Sequence, residues 1–135
     1  MEMRVRILIE DPAPPLGLQH AELASWGAYA CTFSNWLSER VFLVGLNTAS
    51  SLGRVTTDLV VYDLKRSIAR TKSGRIYTLI GDPWLCSEGG EAFGYWVDIN
   101  RPSSIRNVTG ELLAGTSRWS ASLDEQTRGR GHGLR

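Results

Sequence analysis

The feature that most constrains the fold of this chain is a pair of strand-forming runs on either side of Ser73 and Gly74. Isoleucine, threonine, tyrosine and leucine are frequent in these runs, and a serine followed by a glycine suits a two-residue turn. The pattern therefore predicts a β-hairpin over residues 65–81. A two-residue turn also predicts which side chains face each other across the hairpin. The predicted pairs are Lys72 with Arg75, Arg70 with Tyr77, and Ile68 with Leu79.

Three other segments have the periodicity of β-strands. Residues 3–10 largely alternate apolar and charged side chains, and the prolines at positions 12, 14 and 15 then end the pattern because they cannot donate backbone hydrogen bonds. Residues 41–46 are apolar on both faces, as in a strand at the centre of a sheet. Residues 55–62 alternate as in a half-buried strand. Residues 21–33 suit a bent strand better than a helix.

Residues 88–100 fit two interpretations, because a helical stripe and a strand face both run through the same apolar residues. The helical stripe comprises Ala92, Phe93, Trp96 and Val97, and the strand face comprises Phe93, Tyr95, Val97 and Ile99. The glycines at positions 89, 90 and 94 each weaken a helix by up to about 1 kcal/mol. We favour a helix that ends before Pro102.

Composition defines the class of protein. Of the 135 residues, 42% are hydrophobic and five are tryptophan, which supports a folded core. We expect one α+β domain over residues 1–119, with a small antiparallel β-sheet of about five strands and one packed helix. Residues 120–135 are expected to form a disordered basic tail. No apolar run reaches the roughly 18 residues of a transmembrane helix, so we expect a cytoplasmic protein whose Cys31 and Cys86 are reduced thiols.

Patterns that would indicate catalysis or metal binding are weak. Candidates for a nucleophile and a base include Cys31, Cys86 and His20, but none lies in a recognised catalytic motif, and structural roles are favoured. An acidic segment has no accompanying metal-site spacing, and a solvated acidic face is the better interpretation. Its members are Asp82, Glu88, Glu91 and Asp98. No cofactor or metal is expected, and a small hydrolase or metal-dependent enzyme is the lesser alternative.

Positive charge is concentrated around the hairpin. Residues 54–75 contain six basic and two acidic side chains, whereas residues 82–98 contain four acidic and no basic side chains. The residues predicted to bind a partner are Arg66, Arg70, Lys72, Arg75, Tyr77 and Trp84. The basic side chains would contact an anionic partner, Tyr77 could stack on a nucleic-acid base, and Trp84 would be an exposed anchor. The period of a strand predicts that Arg66, Arg70 and Lys72 share one side.

Three explanations of the basic hairpin compete. Charged residues protect exposed sheet edges from aggregation, and this purpose alone would account for them. An anionic protein partner is the second explanation. Nucleic acid is the third, because a sequence pI of about 7.8 is low for a dedicated nucleic-acid-binding protein. The predicted function is a non-enzymatic binding module for a macromolecule, with protein favoured over nucleic acid as the partner.

The hairpin residues also carry a resemblance. Residues 71–81 (TKSGRIYTLIG), preceded by residues 53–57 (GRVTT), resemble a pattern in short bacterial and phage proteins. In those proteins a strand leads into a hairpin of the form x-Thr-x-Ser-Gly-x-x-Tyr-x-Leu-x-Gly. The resemblance implies no activity, because no function is assigned to the pattern. It implies an accessory protein of a mobile genetic element, a class that includes inhibitors of host defence complexes.

Overall fold

The structure is a computed structural model that describes residues 20–34, 38–83 and 86–123. Within these residues the chain forms six strands and two helices. In chain order they are β1 (His20–Thr32), β2 (Arg40–Asn47), β3 (Leu52–Asp63), β4 (Ile68–Thr71), β5 (Ile76–Ile80), α1 (Ser87–Asn100), β6 (Ser104–Asn107) and α2 (Thr109–Ala114). The predicted strands within residues 41–46 and 55–62 and the hairpin are confirmed. The strand predicted at residues 3–10 lies outside the described residues.

The sheet closes on itself, because β1 pairs with β2 on one edge and with β5 on the other. Strands β1 to β5 follow one another up and down, so the first and fifth strands run in the same direction and their pairing is parallel. The prediction of about five strands with a packed helix is confirmed in outline. The expectation of an entirely antiparallel sheet is wrong at this one pairing, which no local sequence pattern encodes.

The first strand bends where it changes neighbours. Its pairing with β2 shifts between Ala24 and Gly27, and Ser25 between them has a positive φ of 48°. Before the bend β1 pairs with β5, and after it β1 pairs with β6. An irregularity of this kind bends a strand and increases its twist, which is what closing a five-stranded sheet requires.

The hairpin forms as predicted, but its pairing is displaced by one residue. Arg70 faces Ile76 and Ala69 faces Tyr77. The backbone N–H of Gly74 donates to the carbonyl oxygen of Thr71 at 2.9 Å, and Gly74 has a φ of 94°. The connection is therefore a three-residue loop in which glycine takes the third, positive-φ position. The predicted pairs are wrong for this reason, and Lys72 does not face Arg75 across the turn.

Alternate side chains of the strands fill the barrel interior. Trp26, Tyr62 and Tyr77 are the largest fully buried side chains, and the rings of Trp26 and Tyr62 lie 6.1 Å apart. Aliphatic side chains from every strand of the barrel fill the remaining space. They include Leu23, Val41, Leu43, Leu59, Ala69 and Leu79. This core requires the strand alternation that the sequence shows at β3 and in the hairpin.

Helix α1 covers the outer face of β2 and β3. It is helix and not strand, as favoured, and Ala92 and Trp96 are buried against the sheet. The Cys86 sulfur caps its first turn by accepting a hydrogen bond from the N–H of Gly89 at 3.4 Å. The helix ends at Arg101, whose left-handed backbone precedes Pro102. None of the described helices is long and apolar enough to cross a membrane.

The chain after β6 packs against the barrel from the end at which β3 finishes. Leu112 of α2 is fully buried in the barrel core. The backbone of Tyr62 then donates to Trp119 at 2.9 Å and accepts from Ala121 at 3.1 Å. The N–H of Leu123 donates to the Asp63 carboxylate at 3.0 Å. The packed chain therefore continues past residue 119, the predicted end of the domain, and the rest of the predicted tail lies outside the described residues.

Candidate interaction surface

Both strands of the basic hairpin are paired on both edges. Strand β4 lies between β3 and β5, and β5 lies between β4 and β1. Neither strand is a sheet edge, so the basic residues do not protect one. The first of the three explanations for the basic hairpin is therefore wrong. The edge of the described sheet is β6, a short strand that the sequence pattern did not predict.

Arg70 is the predicted binding residue that lies on the outward side of the barrel wall, where it is half-buried and its Nη2 atom is completely buried. Its neighbours Ala69 and Thr71 are buried, whereas Arg70 and Ile68 are half-buried on the opposite side of β4. Arg70 faces Ile76 of β5, which is also half-buried. The outer wall of β4 and β5 thus combines a guanidinium with isoleucines. Helix α1 packs on β2 and β3 instead, and α2 contacts β1.

Lys72 and Arg75 lie at the hairpin end of the barrel, which is the end that also holds the start of β1 and the turn between β2 and β3. The loop that carries Lys72 is fastened to β3 by its backbone. The Lys72 N–H donates to the carbonyl oxygen of Asp58 at 2.8 Å, and the Ser73 N–H donates to the Thr57 hydroxyl at 3.1 Å. These bonds hold the exposed Lys72 on a fixed support.

Arg66 lies at the other end of the barrel, in the turn between β3 and β4. Its N–H donates to the Asp63 carboxylate at 3.2 Å, and its Nε lies 3.7 Å from the same group. Because β4 spans four residues, roughly 13 Å, it separates Arg66 from Lys72. The prediction that Arg66, Arg70 and Lys72 share one side of a strand is wrong, since only Arg70 belongs to the strand.

Tyr77 and Trp84 are the remaining predicted binding residues, and neither lies on the part of the surface that the structure describes. Tyr77 is fully buried inside the barrel, where its hydroxyl accepts a hydrogen bond from Nη1 of Arg54 at 3.4 Å. Its ring therefore has no exposed face on which a base could stack. Trp84 lies outside the described residues.

The two candidate nucleophiles have structural roles, and Cys31 lies far along β1 from the candidate base. Cys31 is completely buried, and burial, together with the negative charge of Glu39, raises the pKa of its thiol to about 11. Cys86 is engaged as the cap of α1. His20 is exposed at the start of β1, eleven positions before Cys31, a separation that reaches roughly 36 Å along a fully extended strand. This arrangement does not bring Cys31 to His20.

Three of the four members of the acidic segment lie on the surface of α1, and Asp82 precedes the helix. Glu88, Glu91 and Asp98 are all exposed. Hydrogen bonds from backbone and side-chain groups of the first helical turn lower the pKa of Glu88. In the described part of the chain, no three histidine, cysteine, aspartate or glutamate side chains lie close enough together to hold a metal ion.

A cleft of about 350 Å³ lies between the β3–β4 turn and the C-terminal segment. Its buried polar residue is Asp63, which is only 4% exposed. One carboxylate oxygen accepts from the N–H of Arg66 and the other accepts from the N–H of Leu123. Asp63 therefore serves to fasten the C-terminal segment to the turn, and its oxygens already have donors.

An ion network that the sequence did not reveal joins three separate parts of the chain. Arg106 of β6 donates to both carboxylate oxygens of Glu39, at 2.8 and 3.2 Å, and to Glu111 of α2 at 2.7 Å. Arg118 donates to the backbone carbonyl of Glu39 at 2.7 Å and lies over the Trp119 ring at 4.6 Å. These residues are up to 79 positions apart, so no local motif could have indicated the network.

A comparison of this chain with protein-family models, with curated proteins and with solved structures finds no match. The likeness of the hairpin to short bacterial and phage proteins therefore stays a resemblance between short segments. The glycine of the shared pattern has a structural role here, because Gly74 occupies the positive-φ position of the loop. The tyrosine of the pattern also has a structural role, because Tyr77 is buried in the barrel interior. The shared residues thus form the hairpin rather than a chemical site.

Proposed function

We propose that this protein is a non-enzymatic binding module that engages an acidic protein partner through the outer wall of β4 and β5. The observation that carries the proposal is the pairing of Arg70 with Ile76 on the outward side of two interior strands, next to a loop that presents Lys72. With edge protection set aside, recognition of an acidic partner is the explanation that we favour for basic side chains beside an apolar wall. The separation of His20 from Cys31 argues in the same direction, because these two candidates do not form a catalytic pair.

The chemistry of the wall favours protein over nucleic acid. Proteins that bind single strands without sequence preference stack the bases on exposed aromatic rings. The aromatic residue of this hairpin, Tyr77, is inside the barrel. The outward side chains are instead aliphatic and cationic, and Ile80 at the end of β5 is 37% exposed. Aliphatic anchors among arginine and lysine fit a protein surface that carries both apolar and acidic groups.

The loop geometry also supports binding. The backbone bonds from Lys72 to Asp58 and from Ser73 to Thr57 hold the loop against β3. A side chain on a fixed backbone loses less conformational freedom when a partner binds. A role in the cytoplasm as an accessory protein of a mobile element is consistent with the hairpin resemblance, and occupying an acidic surface of a host protein is what such a module would do.

The test is a pull-down from host lysate with the wild type and with the double variant Arg70→Gln/Lys72→Glu, which changes both the outer wall and the loop beside it. Lys65→Glu, which reverses the charge of an exposed lysine in the turn at the opposite end of β4, is the control for negative charge added away from the wall. We expect the double variant to lose a captured protein that the wild type and Lys65→Glu retain. The thermal unfolding midpoint of all three proteins should be similar, and equal capture by all three would contradict the proposal.

Nuclease treatment and salt separate the two kinds of partner. Capture of an acidic protein should survive nuclease. If nuclease abolishes capture, and if the affinity of the purified protein for nucleic acid falls steeply with salt concentration in a gel-shift series, the partner is nucleic acid. That result would retain the hairpin as the binding element and overturn the choice of partner.

A further inference from the structure

Strands β2 and β3 separate at the end of the barrel that holds the β3–β4 turn. Their last pairing joins Phe42 to Asp58. Beyond it, among the described strands, Arg40 and Val41 of β2 pair only with β1, and the end of β3 from Leu59 onwards pairs only with β4. The barrel wall therefore has a seam between β2 and β3 at this end, where neither strand bonds to the other.

A later part of the chain fills this seam. Residues 117–123, which we call the strap, form a parallel bridge with the end of β3. The N–H of Tyr62 donates to the carbonyl oxygen of Trp119 at 2.9 Å, and the N–H of Ala121 donates to the carbonyl oxygen of Tyr62 at 3.1 Å. The strap therefore occupies the edge of β3 that β2 has left.

The strap also contacts the β2 side of the seam and the barrel core. The Arg118 guanidinium donates to the carbonyl oxygen of Glu39 at 2.7 Å, just before β2 begins. The Trp119 ring packs against the buried core cluster and is itself partly buried. The Arg118 guanidinium lies over the same ring, 4.6 Å from its centroid. The strap thus bridges both borders of the seam, with Trp119 as its aromatic contact to the core.

Hydrogen bonds within the strap maintain its own shape. The N–H of Ser120 donates to the carbonyl oxygen of Ser117 at 3.1 Å, and their hydroxyl groups lie 2.8 Å apart. The N–H of Trp119 donates to the Ser117 hydroxyl at 3.3 Å. The strap follows the end of α2, where Gly115 has a φ of 71° and residues 113–116 are exposed. A few exposed residues at the end of a helix suit a hinge.

Packing beside the strap is incomplete. The cleft of about 350 Å³ separates Ser120, Ala121 and Ser122 from the β3–β4 turn. Across this cleft the N–H of Leu123 donates to the Asp63 carboxylate at 3.0 Å. The side chains that line the cleft from the strap are small, so they bury little apolar surface. A segment with few buried apolar contacts opens more readily than the strands of a core.

We propose that the strap opens as a unit while the barrel stays folded, and that the uncovered seam binds an extended peptide in which an aromatic residue follows an arginine. The strap itself shows this chemistry. Opening frees the backbone groups of Tyr62, the carbonyl oxygen of Glu39 and the core surface under Trp119. Such a peptide supplies main-chain bonds, a guanidinium and a ring for these three positions.

Recognition of this kind is strand addition, in which main-chain bonds give affinity and side chains give specificity. The seam lies on the edge of β3 opposite to β4, so it is a different surface from the outer wall of β4 and β5. The two sites can therefore be tested independently.

Hydrogen exchange of the wild type tests whether the strap opens as a unit. The amides of Tyr62, Ala121 and Leu123 all lose their acceptors when it opens. Their protection factors should agree within about threefold and lie at least about a hundredfold below that of Leu79, whose N–H donates to Ser67 at 2.8 Å. Protection equal to that of Leu79 would overturn the proposal, because the strap would then open only on global unfolding. Protection lost at Leu123 but retained at Tyr62 would also overturn it, since that is fraying.

Peptide binding tests the uncovered seam. The probe is a synthetic peptide of residues 116–123 (TSRWSASL), added to the isotope-labelled full-length variant Trp119→Ala. We expect saturable changes in the amide chemical shifts of Tyr62 and Asp63. The affinity should be at least about tenfold higher than for the wild type, because the intact strap competes at a high effective concentration. The same peptide with Trp119→Ala should not bind.

A second variant keeps the binding test decisive. If Trp119→Ala does not unfold cooperatively, Arg118→Ala replaces it, because this change removes the bond to Glu39 and leaves the Trp119 ring in place. Absence of binding to the folded variant, equal affinity for variant and wild type, or binding of the alanine peptide would each overturn the proposed site.

Discussion

A Cβ atom at Gly53 would collide with the backbone carbonyl oxygen of Glu88, so the first turn of α1 sits directly on the backbone of β3. The Cβ of Ala92, one helical turn later, would also lie only 2.9 Å away. Cys86 also holds this turn of the helix, because its sulfur caps the helix. Strand and helix are therefore in contact without an intervening side chain.

Gly53→Ala should destabilise the protein, because the added methyl group must displace either the helix or the strand. Forcing extra volume into a packed contact costs about 1–3 kcal/mol. The measurement is the free energy of unfolding from urea denaturation, followed by circular dichroism. A variant as stable as the wild type would contradict the close seating of α1 on β3.

Gly94→Ala should have the opposite effect and serves as the matched glycine substitution. Gly94 is exposed within α1, and a Cβ there would have no atom within 4 Å. Alanine is favoured over glycine inside a helix by up to about 1 kcal/mol. Urea denaturation should therefore give a higher free energy of unfolding. Destabilisation by this substitution would argue against a helix at residues 87–100.

Cys31 should make the protein less stable at high pH. Burial raises the pKa of its thiol to about 11 from an ordinary value of 9.0. Between these two pH values the unfolded chain loses the thiol proton while the folded protein keeps it, so ionisation favours unfolding. The free energy of unfolding should fall across this interval by an amount on the order of 2 kcal/mol. A Cys31→Val variant, measured alongside, should lack this part of the pH dependence. Parallel pH curves for the two proteins would contradict it.

Glu39 should make the folded protein less stable as the pH falls, whereas Cys31 makes it less stable as the pH rises. The hydrogen bonds from Arg106 lower the pKa of Glu39 below its ordinary value of 4.5. The contribution is present at pH values above 4.5 and is lost as the pH falls and the folded carboxylate becomes protonated. Glu39→Gln should therefore lower the thermal midpoint at pH 7 and have little effect at pH 3.

A double-mutant cycle with Arg106→Ala isolates this ion pair. The effect of Glu39→Gln at pH 7 should largely disappear when Arg106 is already absent, because the two changes remove the same interaction. Additive effects would show that Glu39 acts through other neighbours.

The hairpin shows how far a local sequence pattern can be interpreted. The dipeptide Ser73-Gly74 marks the turn, but the two-residue loop that we predicted from it is wrong, because the loop has three residues. The hydrogen bond from Gly74 to Thr71 decides the loop length, and the one-residue difference moves Tyr77 from beside Arg70 to opposite Ala69, inside the barrel. Because the pairing shifted by one residue, the position predicted for Tyr77 next to Arg70 was wrong.

Long-range relationships had no local pattern to indicate them. The pairing of β1 with β5 joins residues 20–24 to residues 76–80, and the ion pair of Glu39 with Arg106 spans 67 positions. The choice between helix and strand at residues 88–100 was equally undecided by periodicity. It depends on the seating of the first turn on Gly53 and on the cap from Cys86, both of which require the folded sheet.

The parallel closure of the barrel has a consequence for how the chain folds during synthesis. The first strand emerges from the ribosome well before the residues with which it must pair, because β5 ends at residue 80. The neighbouring strands β2 and β3 and the hairpin β4–β5 need only local contacts and can form early. Pairings between distant residues slow folding because the loop between them must first be closed. The hydrogen-bonding edge of β1 that pairs with β5 thus stays unprotected during translation, when a nascent chain is most exposed to misassociation.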